Sequence, residues 1–87
     1  MACTEAEWLA WLPAAIGPHP CERQDGAARV TLGDGTLQLH WQVQAPRQIA
    51  LIRLPRLQVR FDFRHVPDAA RHAFMQRFDL YTQRGGG

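Results

Sequence analysis

The stretch LQLHWQV, residues 37–43, alternates apolar and polar side chains at every position, and LQVRFDF, residues 57–63, repeats the pattern. Successive side chains of a β-strand point to opposite faces, so this alternation predicts two strands, each with one face toward a core. The predicted core-facing residues are Leu37, Leu39, Trp41, Val43, Leu57, Val59, Phe61 and Phe63. The two stretches therefore predict a sheet with one buried and one solvated face.

The predicted solvated face is rich in glutamine, arginine and histidine and contains no lysine. It presents hydrogen-bond donors with a positive bias, and its candidate binding residues are His40, Gln42, Gln58, Arg60 and Arg64. The whole chain lacks lysine, which is typical of a GC-rich genome. The use of arginine is therefore not by itself evidence of selection for a binding site.

Length and charge limit the classes of protein to consider. A chain of 87 residues forms one domain, and its net charge of +2 is too small to indicate nucleic-acid binding by itself. The charge is unevenly distributed, because residues 1–26 are acidic and residues 47–64 are basic. We expect the two regions to complement each other within the protein or across a dimer, and an anion-binding surface is the alternative.

The cellular location follows from the start of the chain and from its apolar runs. The first residues are acidic and contain no basic region of the kind that opens a secretory signal. No apolar run approaches the roughly 20 residues that a membrane-spanning helix needs. We therefore expect a cytoplasmic protein without a membrane partner, with Cys3 and Cys21 as reduced thiols.

The first helix is predicted to begin near Glu5, because Thr4 and Glu7 have the spacing of a capping box. Its apolar stripe consists of Trp8, Leu9, Leu12 and Ile16. Pro13 lacks an amide donor and should kink or divide this helix, and Gly17 should end it. The segment 17–26 shows no periodicity and contains two prolines and two glycines, so it is predicted to be a loop.

Four strands are predicted at about 27–33, 36–44, 48–54 and 57–64. The predicted turns are Gly33-Asp34-Gly35, Ala45-Pro46-Arg47 and a break at Leu54-Pro55-Arg56. The run from Ile49 to Leu54 is nearly continuous in apolar residues. The third strand is therefore expected to be central or covered on both faces.

A second helix is predicted to open at Val66-Pro67-Asp68 and to bury one face. The residues of that face are Ala70, Phe74, Phe78 and Tyr81. The predicted fold is a single small α+β domain over 1–87, with the order α-β-β-β-β-α and residues 1–2 and 85–87 disordered. The four strands form an antiparallel meander with both helices packed on one face.

Catalytic and metal-binding patterns are weak. The sequence has no serine, and Cys3 has only a helix N-terminus beside it, which would lower the pKa of its thiol. His19 and Cys21 lack the second ligand pair that zinc sites show. Asp62 stands between Arg60 and Arg64, as in a surface ion-pair ladder. We therefore expect no catalytic residue, no metal and no cofactor.

The function that best fits these patterns is a non-enzymatic accessory or protein-interaction domain, which binds a protein partner or a second copy of itself through exposed sheet edges. The alternative is single-stranded nucleic acid or another polyanion bound on the arginine- and glutamine-rich face. RNA-binding sheets use exposed aromatic residues for stacking, whereas Trp41, Phe61 and Phe63 lie on the core-facing side here.

The end of the chain, Arg84-Gly85-Gly86-Gly87, resembles the tail of sulfur-carrier and ubiquitin-like proteins. That resemblance implies activation at the terminal carboxylate. Those proteins have a β-grasp fold whose tail leaves a strand, whereas the tail predicted here leaves a helix. A carrier function is therefore kept as a third alternative.

Overall fold

Two helices flank four antiparallel strands in a computed structural model that describes the backbone of residues 1–86 and the side chains of residues 1–82. The elements are α1 (Glu5–Ile16), β1 (Cys21–Gln24), β2 (Ala27–Leu32), β3 (Gly35–Ile49), β4 (Ile52–Arg64) and α2 (Asp68–Gly86). The sheet order is β1-β2-β3-β4, so each strand pairs with its neighbour in the chain. This arrangement confirms the predicted α+β meander.

Both helices pack on the face formed by the odd-numbered residues of β3 and β4. Leu37 pairs with Phe63, and Leu39 with Phe61, so these side chains share that face. The ring of Trp8 from α1 lies 5.7 Å from Trp41, and Phe78 from α2 meets Phe61 edge-on at 5.3 Å. The prediction that the odd-numbered residues of these strands face the core is therefore confirmed for β3 as far as Trp41.

The same prediction is wrong for Val43, which was expected to be buried in the core. The side chain of Val43 is 61% exposed, because β3 has passed the end of β2 and no helix covers it there. The core therefore ends near Trp41 on β3 and near Leu57 on β4.

Helix α1 begins as its capping box predicts. The amide of Glu7 donates to the Thr4 hydroxyl at 3.1 Å, and the amide of Thr4 donates to the Glu7 carboxylate at 2.9 Å. Pro13 does not divide the helix, which continues to Ile16 and ends at Gly17 with a φ of 73°. Pro13 is exposed, so its ring needs no space in the core.

The prediction of a loop over 17–26 is wrong in its second half, because residues 21–24 form β1. Its four residues, CERQ, are all exposed and carry no apolar alternation. The strand forms because β2 offers a free edge, and Cys21 to Gln24 pair there with Ala27 to Val30. Gly26, at a φ of 72°, permits the tight turn between these strands.

The predicted third strand is also wrong. The Ala45-Pro46 turn is instead a bulge within a continuous β3, located where the register shifts between Gln44 and Arg47. The chain reverses at Ala50 and Leu51, and Ile49 pairs with Ile52. The predicted break near Pro55 is part of a continuous β4. The apolar run of residues 49–54 is therefore a hairpin tip that is open to solvent, and it is neither central nor covered.

The hairpin between β2 and β3 is where the sequence predicted one, but Gly33 supplies the positive φ, at 62°, in a two-residue Gly33-Asp34 turn. Gly35 has a different role. A Cβ atom there would overlap the carbonyl oxygens of Arg64 and His65, so glycine allows the end of β4 to approach β3.

The two ends of the chain were predicted to be disordered. Met1 exchanges two backbone hydrogen bonds with Leu57 of β4, one of them at 2.8 Å. Helix α2 includes Gly85 and Gly86, whereas residue 87 lies outside the described residues. Disorder at residues 85–87 stays a prediction.

Replacing Phe74 by alanine should lower the free energy of unfolding by about 3–5 kcal/mol, since the ring is buried against Phe63 and Phe78 and leaves a cavity. The control is Leu80→Ala on the same helix, which should cost under about 0.5 kcal/mol because Leu80 is exposed. Urea unfolding followed by tryptophan fluorescence measures both. Equal costs for the two variants would contradict this packing.

Candidate interaction surface

The five candidate binding residues share the face of the sheet opposite the helices. His40 pairs with Arg60, and Gln42 pairs with Gln58, so each pair lies side by side across β3 and β4. Arg64 lies farther along the same face, opposite Thr36. All five are exposed. The structure therefore brings together the residues that the alternation selected, and we call this surface the outer face.

The outer face continues onto β1 and β2, which the sequence analysis did not include. Glu22 pairs with Arg29, and Arg29 pairs with Gln38, which forms a row across the sheet. A shallow depression of about 110 Å³ lies over these strands and reaches His40. Arg29 alternates with buried Ala28 and Val30, so the short β2 pattern was the signal for this extension.

The charges of the outer face are only partly paired. Arg64 forms an exposed ion pair with Asp62 at 3.2 Å, a contact worth about 0–1 kcal/mol. Neither Arg60 nor His40 has an ion-pair partner among the described side chains. The face is therefore a mixed polar surface on which Arg60 is a cation without an ion-pair partner among the described side chains.

Beyond the body of the sheet, residues 43–56 form a two-stranded ribbon that we call the arm. It extends past the end of β2, which pairs with β3 only as far as His40. The radius of gyration is 13.8 Å and the longest dimension is 47 Å. A compact chain of this length has a radius of gyration of about 12 Å, so the arm makes the molecule elongated.

Beyond the bulge, the arm carries its large apolar side chains on the opposite face from the body. In β4 the core-facing residues are odd-numbered from Leu57 to Phe63, whereas the apolar Ile52 and Leu54 are even-numbered. The bulge shifts the register of β3, so that its odd-numbered residues lie on the outer face beyond Gln44. Ile49 therefore lies beside Ile52, and Arg47 lies beside Leu54. Apolar residues of the arm therefore extend the outer face.

The tip of the arm is the most exposed apolar region in the described part of the chain. Leu51 is 97% exposed and Ile52 is 60% exposed. Ala50 holds a φ of 53° at the turn, a left-handed conformation that costs about 1–2 kcal/mol for a residue with a Cβ atom. No acidic residue occurs between Asp34 and Asp62, whereas Arg47, Arg53, Arg56 and Arg60 lie in this interval.

A larger cleft of about 560 Å³ lies between α2 and the Gly33 turn. Two of its four polar side chains already serve the fold. The His19 ring packs on Phe74 at 5.9 Å, and the Arg77 guanidinium donates to the carbonyl oxygen of Ala14 at 3.1 Å. This cleft shows no nucleophile paired with a base among its lining residues.

Neither cysteine has the lowered pKa of an activated thiol. Cys3 was expected to have a lowered pKa beside the N-terminus of α1, but burial raises the pKa of its thiol. Partial desolvation likewise raises the pKa of Cys21, and the two thiols are not joined. Within the described residues, no three His, Cys, Asp or Glu side chains cluster closely enough to hold a metal ion.

Comparison with protein-family models, with curated proteins and with solved structures found no match. In the part of the chain that the structure describes, no helix has the length and apolar character needed to cross a membrane. Function is therefore inferred from the geometry of the outer face and the arm.

Iodoacetamide should modify Cys21 faster than Cys3, because Cys21 is exposed and Cys3 is 2% exposed beneath α1. The raised pKa means that the thiolate of Cys21 accumulates only at a higher pH than that of an unperturbed thiol, so its reaction rate should still rise above pH 9. Peptide mass spectrometry after timed alkylation measures both rates. Rapid, pH-independent alkylation of Cys3 would indicate an activated thiol instead.

Proposed function

We propose that this protein is a non-enzymatic protein-interaction domain whose arm inserts into an apolar, acid-rimmed surface of a partner protein. The observation that carries the proposal is the exposure of apolar side chains at the arm tip, where Leu51 is almost fully solvated. An exposed apolar patch of this kind marks interaction surfaces in soluble proteins, because burial of it gains hydrophobic free energy.

The charges around the tip support the acidic character of the partner. Arg47 lies beside Leu54, and Arg53 lies beside Gln48, so arginine occurs on both faces of the ribbon. The interval from Gly35 to Phe61 contains no acidic residue, and neither arginine forms an ion pair among the described side chains. Complementary charge at the rim would steer association, while the apolar tip would supply the affinity.

We place this function in the cytoplasm, as part of the same proposal. Two free thiols in a small domain support a reducing compartment, because small secreted domains commonly use their cysteines in disulfides. The accessory role in this proposal is supported by the chemistry of the surface, which offers exposed apolar side chains and arginine charge.

Replacing the two tip residues, Leu51→Ser with Ile52→Ser, should abolish capture of the partner from the native cytoplasm. These side chains make no core contact, so the free energy of unfolding should change by less than about 0.5 kcal/mol. The matched control is Leu80→Ser, which removes another exposed leucine from α2. Affinity capture with quantitative mass spectrometry compares the three proteins.

The decisive signal is a protein that the wild type and the Leu80→Ser control retain and the arm variant loses. If every captured protein is retained equally by the arm variant, the arm is not the binding surface and the proposal fails.

A second candidate function is the binding of single-stranded nucleic acid or another polyanion on the outer face. The observation in its favour is the position of His40 beside Arg60, next to the Gln42–Gln58 pair, with no acidic residue in either pair. The face lacks an exposed aromatic platform among these residues, because Trp41 and Phe61 face the helices. The carrier function of the glycine tail stays a prediction, since residue 87 lies outside the described residues.

We expect little or no binding of a fluorescent oligo-dT probe at physiological salt, measured by anisotropy. Polyanion binding would weaken steeply with salt because neutralised phosphates release counterions. Replacing Arg60 and Arg64 by glutamine would then lower both the affinity and the salt slope. Micromolar binding that these two substitutions abolish would establish the second candidate in place of the first.

A further inference from the structure

The two edges of the sheet are protected very differently. The β1 edge has 4 residues, all exposed, and includes a glutamate and an arginine. The β4 edge has 13 residues, and its core-facing side chains Val59, Phe61 and Phe63 are only partly buried. Short, charged edges resist pairing with another strand, whereas a long edge with apolar side chains invites it. The β4 edge is therefore the one that requires a cover.

The backbone of β4 shows which groups are available along this edge. Leu57 directs both its N–H and its C=O away from β3, because it exchanges two hydrogen bonds with Met1. The ladder with β3 is regular from Leu57 to Arg64. Since strand groups alternate in direction, Val59, Phe61 and Phe63 present their N–H and C=O groups to the same free side.

The free part of the edge has two definite ends. Met1 occupies Leu57 at one end, and β4 finishes at Arg64 at the other, where His65 leaves the strand with a φ of 57°. The unoccupied segment is thus 58–64. Its central residue is Phe61, whose outward N–H and C=O form a self-complementary pair.

We propose that the β4 edge is covered by a second copy of this chain, whose β4 pairs antiparallel about a two-fold axis at Phe61. Phe61 would exchange two backbone hydrogen bonds with Phe61 of the second copy. Val59 would do the same with Phe63 of the second copy, and Phe63 with its Val59. The two sheets would then form one sheet of eight strands.

An axis at Phe61, the centre of the free segment, pairs the largest number of its residues, and charge favours this register over the two neighbouring axes. With the axis at Phe61, Arg60 lies opposite Asp62 of the second copy, and Asp62 lies opposite its Arg60, so the outer face gains two cross-strand pairs of opposite charge. Moving the axis by one residue to Arg60 places two arginines opposite each other. Moving it to Asp62 places two aspartates opposite each other, and Arg60 opposite Arg64. An axis midway between two residues would pair odd-numbered residues with even-numbered ones. Core-facing side chains of one copy would then lie beside outer-face side chains of the other.

The dimer would leave the arm free. All four helices would lie on one face, and the two arms would project from opposite ends of the joined sheet, because the paired strands run in opposite directions. This inference does not depend on the proposed function, since it concerns residues 58–64 and not the arm tip. A dimer would, however, present two arms to a partner with two matching surfaces.

The test is a charge-reversal cycle followed by sedimentation velocity over a range of protein concentrations. Arg60→Asp places two aspartates opposite each other across the interface, and Asp62→Arg places two arginines opposite each other. Each single variant should weaken dimerisation by about tenfold or more, because two like-charge pairs replace two opposite-charge pairs. The double variant R60D/D62R restores opposite charges and should recover the dimer.

The matched control is Arg23→Asp, which reverses an exposed arginine on β1, at the opposite edge of the sheet. It should leave the dimer unchanged. Thermal melting checks that each variant folds. If Arg60→Asp does not fold, Asp62→Arg still tests the proposal.

A wild-type chain that sediments as a monomer at several hundred micromolar would overturn the inference, as would a double variant no better than the singles. If the protein sediments as a monomer and the arm-tip variant still loses the partner, only the dimer proposal is refuted. A dimer that captures nothing through its arm would refute the proposed function alone.

Discussion

The continuous register between β3 and β4 is the constraint on which the rest of this structure depends. From Thr36 and Arg64 to Gln44 and Arg56 the two strands pair without interruption, so their apolar side chains form one surface. Helices α1 and α2 meet each other and the sheet on that surface through Trp8 and Phe78, whose rings are 5.6 Å apart. A slip of one residue would turn this apolar set toward water and remove the docking site of both helices.

The bulge between Gln44 and Arg47 has the opposite consequence for the arm. The body of β3 buries its odd-numbered residues, but past the bulge the apolar residues of the ribbon continue the outer face. Nothing in the described chain covers Leu51 or Ile52. The same hairpin thus forms one wall of the core along its body and an exposed apolar surface along its arm.

The sequence alone could predict the parts of the fold that have a local pattern, such as period-two alternation or a capping box. The alternation of residues 37–41 and 57–63 identified the core face and placed His40 beside Arg60 on the outer face, and the Thr4–Glu7 box located α1. It could not predict β1, whose residues pair because β2 has an edge to fill. The prediction of a covered strand at residues 48–54 was wrong. An apolar run without Gly, Asn or Asp has no turn signal and resembles a covered strand. The proposed cover of β4 and the proposed occupant of the arm lie in other molecules, so a single chain gives only their chemistry.

The central claim is that the β3–β4 hairpin has two uncovered surfaces with different occupants, a second copy along residues 58–64 and a partner protein at the arm tip. Amide hydrogen exchange measured by NMR at several protein concentrations tests it directly. Exchange at Val59, Phe61 and Phe63 should slow as concentration rises, while exchange at Leu51 and Ile52 should not change with concentration. Rapid, concentration-independent exchange along the edge, or protection of the tip that rises with concentration, would contradict the account.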